Sequence, residues 1–191
     1  KLPRLDTGLL YRKLAFKYIK SSKLISTKNT IDNSILKSIL NNFDLNDLEQ
    51  DVLKQDLYGN FASRIGKLDF VRNKLKIIQI EFVENMIKKK GGCILDGRDI
   101  GTEILPNADF KFYIDAPIET RAKRRFKQLY STNKSIEFKN ILLDLEKRDI
   151  NDKSRKNSPL ILSEDSILID TEFLNPHQVL KKALYYIKKN K

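Results

Sequence analysis

Cysteine and histidine each occur once in the 191 residues. The single cysteine, Cys93, excludes an intramolecular disulfide and a cysteine-built metal cluster. It lies inside a strand-like run and reads as a small buried hydrophobe. The single histidine, His177, follows Pro176 in the first turn of a predicted helix and reads as a surface residue. No Ser-His-Asp set and no metal site can be assembled around it. No run approaches the roughly 20 apolar residues that span a bilayer, and no charged segment leads into a signal-like apolar stretch. The expectation is therefore a soluble cytoplasmic protein with no membrane partner. Internal repeats and low-complexity linkers are also missing. At 40% hydrophobic residues the chain suits one globular domain with an insertion.

Positive charge is what the sequence has in excess. The formal net charge is +12, and residues 117–157 hold twelve Lys/Arg against six Asp/Glu, a net of +6 in 41 residues. Such a field favours nucleic acid or a phosphorylated small molecule. Most of the lysines read as a solvated surface. The arginines of this stretch, Arg121, Arg124, Arg125, Arg148 and Arg155, suit bidentate phosphate binding instead.

Four short apolar runs stop at a carboxylate: "RLDTG" at Asp6, "CILDG" at Asp96, "FKFYIDA" at Asp115 and "ILIDT" at Asp170. Helical patterns lie between them, from Leu9, Asp69, Pro117 and Asn175. This alternation predicts an α/β fold with a parallel sheet covered by helices on both faces. Such sheets bind ligands at the carboxyl ends of their strands, where Asp96, Arg98 and Asp99 would stand. Asn175 before Pro176 is a predicted N-cap, and the glycines of "KGGC" are predicted to close the long helix from Asp69. Residues 23–60, richer in Asn, Asp and Ser than their flanks, read as an inserted subdomain of short helices. Tyr185 and Tyr186 read as one core and one boundary position of the last helix.

Three motifs carry chemistry. "LDTGLLYR" sets Thr7 and Gly8 at a strand-to-helix turn with Arg12 one turn into the helix, a combination that can hold an anion. In "DGRDIG", a glycine lets the backbone approach a ligand, Arg98 can donate to phosphate and Asp99 can accept. "RDINDKSRK" spaces Arg148, Asp152 and Arg155 by four and three, so a helix would bring them to one side. With "ETRAKRRF", which stacks Arg121, Arg124 and Arg125, it would flank a helical hairpin with arginines on its inner side. Phosphoryl transfer uses such a lid to exclude water and stabilise charge.

Taken together, "LDTGLLYR", "GNFASR", "DFVR", "ILDGRDIGTEILPNADFKFYIDAPIETRAKRR" and "RDINDKSRKNSPL" resemble bacterial cytidylate kinases, in order across nearly the whole chain. The resemblance implies a P-loop nucleoside-monophosphate kinase fold and transfer of the γ-phosphoryl group of ATP to CMP or dCMP with Mg2+. It implies that Thr7, Arg12, Arg98 and Arg148 surround the monophosphate, and that Ser63, Arg72 and Asp99 read the cytosine edge. Asp152 and Arg155 would hold the sugar, Asp96 would stand at the substrate, and Arg121, Arg124 and Arg125 would face ATP. Arg98, Arg148 and Arg155 would be the catalytic set. It also implies a core of residues 1–22 and 69–116, an inserted monophosphate-binding subdomain at 23–68, a lid at 117–157 and a C-terminal strand and helix at 158–191.

One departure from the family is large. Its members begin with a strand and a Gly-Lys-[Ser/Thr] phosphate loop, and this sequence reads as starting after them. Its only Gly-Lys pair, Gly66-Lys67, is followed by Leu68 and has Phe61 where the first glycine of the loop would stand. The expectation is a kinase body, acting as a monomer, without its first strand and phosphate-loop helix. A catalytically inactive CMP-binding or assembly module is the alternative, and another small-molecule kinase of the same fold is a second. An RNA-binding protein is a third, but no aromatic-rich RNA-recognition signature is present and no nucleic acid partner is expected.

Overall fold

The computed structural model describes residues 1–21, 30–131, 134–155 and 157–189. It is a mixed α/β structure, mostly helical, with small parallel sheets in two compact units, Lys1–Ile100 and Gly101–Lys191. The inserted subdomain predicted at 23–60 falls partly outside the described residues.

In the first unit, β1 (Arg4–Asp6) runs directly into α1 (Thr7–Ser21). Then come α2 (Asn33–Asn41), a 3-10 turn (Asp51–Lys54), α3 (Asp56–Ile65), α4 (Asp69–Lys90) and β2 (Ile94–Asp96). Leu10, Leu14 and Tyr18 recur at helical spacing on α1 and are buried, so α1 is the axis on which the unit is built. Leu36 and Leu40 of α2, Ala62 and Ile65 of α3, and Val71 and Leu75 of α4 complete the core. Asp32 caps α2 by accepting from Ser34 N–H at 2.8 Å. Gly91 ends α4 with φ of 73° and an N–H bond to the Ile87 carbonyl at 2.9 Å, a left-handed cap that favours glycine.

β1 and β2 pair in parallel, with Leu5 opposite Leu95 and Asp6 opposite Asp96. β2 is not the buried strand that its composition suggests. Side chains alternate across a strand; Leu95 packs on the core beside buried Leu5, whereas Ile94 is 53% exposed. Cys93 stands one residue ahead of β2 and is half-buried. Desolvation pushes its thiol pKa above the ordinary value.

In the second unit, a π-helical turn ending at Ile104 precedes β3 (Phe112–Asp115), α5 (Ile118–Tyr130), α6 (Phe138–Ser154), β4 (Ile167–Asp170) and α7 (Pro176–Lys189). β3 and β4 pair in parallel and place Asp115 opposite Asp170. All four predicted strand ends therefore fall at their carboxylates. The sheet is not continuous among the described residues: there are two two-stranded pairs, and Ile114 and Leu168 lie about half exposed.

α5 and α6 form the predicted hairpin, joined through Phe126, whose ring lies 6.1 Å from that of Phe138. Asn175 and Gln178 cap α7 reciprocally, each side chain accepting the other's backbone N–H at 2.9 and 2.8 Å. Tyr185 is exposed rather than a core position, and Tyr186 is half-buried. Among the described residues no helix is long and apolar enough to cross a membrane.

Candidate functional site

The turn after β2 in the first unit is built around Gly97. Thr7, the first residue of α1, is buried and donates its hydroxyl to the Asp96 carbonyl at 2.9 Å. A Cβ on Gly97 would collide with that hydroxyl and come within 3.0 Å of the Ile100 side chain, so this packing requires glycine. Asp96 turns its carboxylate to Arg4 at 2.9 Å, and the same guanidinium lies 3.6 Å from Asp6. One arginine thus bridges two in-register carboxylates whose mutual repulsion would otherwise oppose the pairing.

Two residues along, Asp99 meets Arg72 of α4. Arg72 Nη2 donates to Asp99 Oδ2, and Arg72 Nη1 reaches the Gly66 carbonyl at 3.2 Å. Their side chains are 11% and 14% exposed, so this is the most secluded ion pair of the predicted site. It presents a fixed acceptor beside a fixed donor. Arg98 lies exposed between Gly97 and Asp99, and Ser63 stands exposed on α3.

Arg12 meets the backbone of the connector that leads into α3. Its guanidinium donates to the Leu53 and Gln55 carbonyls at 2.9 and 3.0 Å and packs against Gly59, where a Cβ would approach within 2.7 Å. It clamps the 3-10 turn to α1.

In the second unit, Arg121 forks onto Asp149 at 3.0 and 2.6 Å and also donates to the Ala116 carbonyl at 2.9 Å. The Asp149 carboxylate raises the Arg121 pKa further. Arg124 donates to Thr171 Oγ1 at 3.0 Å and to the backbone carbonyls of Thr171, Glu172 and Leu174. Arg125 reaches the neutral Gln128 side chain at 3.3 Å. At the end of α6, Asp152 lies 3.9 Å from Arg148 and 3.6 Å from Arg155, which also donates to the Ser158 carbonyl at 2.6 Å. The predicted grouping of Arg148, Asp152 and Arg155 is present. Arg155 stands just past the helix, at its C-cap.

Sequence reading missed three participants: Asp149, Lys13 and Lys111. Asp149 was visible as the residue after Arg148. Lys13 lies among the buried positions of α1 and could have been found from its spacing to Leu10. Lys111 is also buried, donating to Asp165 and to the Pro106 carbonyl at 2.5 Å, and its hydrogen bond holds the Asp165 carboxyl below its usual range. Among the described residues no three His, Cys, Asp or Glu side chains converge as metal ligands.

The sequence profile of the cytidylate kinase family matches residues 1–189. The cytidylate kinase of Caldicellulosiruptor bescii is 35% identical over 200 residues, covering 97% of this chain and 85% of the relative. That of Bartonella bacilliformis is 37% identical over 179 residues, covering 94% and 79%. The Bartonella tribocorum enzyme is 38% identical over 187 residues, covering 97% and 82%.

Proposed function

Because the chain belongs to the cytidylate kinase family, a family of ATP-dependent transferases, we propose that it transfers the γ-phosphoryl group of MgATP to CMP or dCMP in the cytoplasm. An oxygen of the acceptor phosphate attacks the γ-phosphorus, the bond to the β–γ bridging oxygen breaks, and ADP leaves with CDP or dCDP. Mg2+ would be held chiefly through the phosphates of ATP and would supply neutralisation of the charge on the transferring group.

The Arg72–Asp99 pair carries this reading. Cytosine offers an amino donor to a carboxylate, whereas uracil offers a carbonyl oxygen at the same position. Against that oxygen the Asp99 carboxylate would gain no donor and would be repelled. Arg72, already aimed at Asp99, holds the acceptor in place and has donors for the cytosine ring nitrogen and carbonyl. Ser63 is assigned to the same base edge, and Thr7, Arg12, Arg98 and Arg148 to the monophosphate. Asp152 and Arg155 are assigned to the sugar, Asp96 to the substrate turn, and Arg98, Arg148 and Arg155 to charge on the transferring group.

Of the three arginines of α5, Arg125 is assigned to ATP. Arg121 and Arg124 hold other parts of the second unit, and a phosphate is a stronger acceptor for a guanidinium than the Gln128 amide that Arg125 reaches. The fold assigned is that of P-loop nucleoside-monophosphate kinases, with the core, insertion, lid and C-terminal boundaries that the resemblance implies, acting as a monomer.

The test is initial-rate turnover with CMP, dCMP and UMP in the intact protein and its Asp99→Ala variant. The expected loss in kcat/KM for CMP is about 100-fold, with the CMP/UMP ratio falling towards one. Equal losses for CMP and UMP would overturn the base-reading role. CMP binding without turnover would favour a binding module.

A further inference from the structure

α1 carries two basic residues in succession, and each holds one end of the same connector. At its far end, Arg12 binds the carbonyls of Leu53 and Gln55. At its near end stands Lys13, only 5% exposed. The Lys13 ammonium donates to Asp44 Oδ1 at 2.8 Å, to the Asp44 carbonyl at 3.1 Å and to the Asn46 carbonyl. Three acceptors match the three protons of an ammonium.

The turn around Asp44 is itself organised for this. The Asp44 carboxylate also accepts the Asn46 N–H at 2.8 Å, and Lys17 reaches it at 3.3 Å. The Phe43 ring lies under both ammonium groups, 5.6 and 5.7 Å from its centroid. Asp47 then takes φ of 56° to redirect the chain. The Lys13 bond holds the Asp44 carboxyl well below the usual carboxylate range.

A buried ammonium is a costly way to fill space, and an apolar side chain of similar length would pack there without desolvation. What the lysine adds is a directional hold on the chain that leads into α3. We propose that Lys13 is a positioning residue for the acceptor nucleotide. It fixes the Asp44–Gln55 connector, and through it α3 with Ser63, while Arg12 exchanges its two carbonyls for the acceptor phosphate. The two neighbours divide the work. Arg12 is the tether that lets go, and Lys13, whose donors are all engaged inside the connector, is the one that stays.

This rests on the reading that CMP or dCMP is the acceptor. The test compares the intact protein with Lys13→Met, Asp44→Asn and the double variant. CMP is varied at saturating ATP, then ATP at saturating CMP, and hydrogen exchange is followed over residues 44–55. Lys13→Met is expected to raise the CMP KM about tenfold, the scale of one lost charged hydrogen bond, with kcat and the ATP KM within about twofold. Asp44→Asn keeps an acceptor oxygen and is expected to raise it about threefold. The double variant should be no worse than Lys13→Met, because one interaction is removed twice.

Exchange over residues 44–55 should quicken in Lys13→Met. An unchanged CMP KM, or equal rises in both KM values, would overturn the proposal. If Lys13→Met does not fold, the half-exposed Asp44→Asn variant carries the same split. A wild-type protein without CMP-dependent turnover would break the functional reading alone. The exchange measurement then decides the positioning role, and unchanged exchange overturns it.

Discussion

The two units use arginine differently. In the first, Arg72 joins a helix to the carboxylate of a strand-end turn, with both side chains nearly out of solvent at 11% and 14% exposure. In the second, Arg121 joins one helix to another, with side chains 31% and 26% exposed, and Arg124 ties a helix to the loop after β4. The first arrangement secludes opposite charges beside a strand-end turn; the second, more exposed, holds secondary structure together. Clustered arginines in a sequence look alike in both roles. Only their partners distinguish them, and those of Arg121 and Arg124 lie 28 and 47 residues away.

The comparison breaks most decisively at Arg72. Arg72→Ala leaves the Asp99 carboxylate secluded without its guanidinium and is expected to cost about 3 kcal/mol of stability, read by denaturant unfolding. It should also raise the CMP KM. Loss of stability with an unchanged CMP KM would reduce the pair to architecture. Arg121→Ala is expected to cost less, about 1–2 kcal/mol, and to lower Tm by a few degrees with the ATP KM unmoved. A raised ATP KM at constant Tm would return Arg121 to the ligand.

The smallest effect is in the lysines, where the units run parallel. Each buries one lysine on an exposed aspartate, Lys13 on Asp44 and Lys111 on Asp165. The Asp44 pKa is depressed in the folded state, so its contribution is present above the unfolded value, about 3.9, and is lost as pH falls through the folded one. The Tm difference between wild type and Asp44→Asn should therefore be constant above about pH 5, begin to narrow below about pH 4 and vanish only as pH falls through the much lower folded value.

Much of this was legible in the sequence. Strand ends were visible because four apolar runs stop at aspartates, α1 and α5 because of their helical patterns, and α4 and α7 because pattern and cap agree. The Arg72–Asp99 meeting was legible only through the family resemblance. What could not be read was how charges are spent: Arg12 on carbonyls 41 and 43 residues away, Arg121 on Asp149, Lys13 on Asp44. Those choices depend on which elements lie side by side, and local patterns do not encode that. The exposure of Ile94 was hidden for the same reason: an apolar run does not say how many of its faces are covered.

The meeting of Arg72 with Asp99 is also a matter of chain reach. From Arg72 the helix climbs to Lys90, about 27 Å at 1.5 Å per residue. The chain then returns from Lys90 to Asp99, at most about 30 Å even fully extended. Outward and homeward lengths nearly cancel, which leaves little slack along the backbone. Removing one residue between Gly92 and Gly97 would draw Asp99 back by about 3.3 Å, as much as a hydrogen bond is long. The Arg72–Asp99 pair is thus set by the lengths of α4 and β2 as well as by its own charges, and a deletion that spares both residues would still shift them apart.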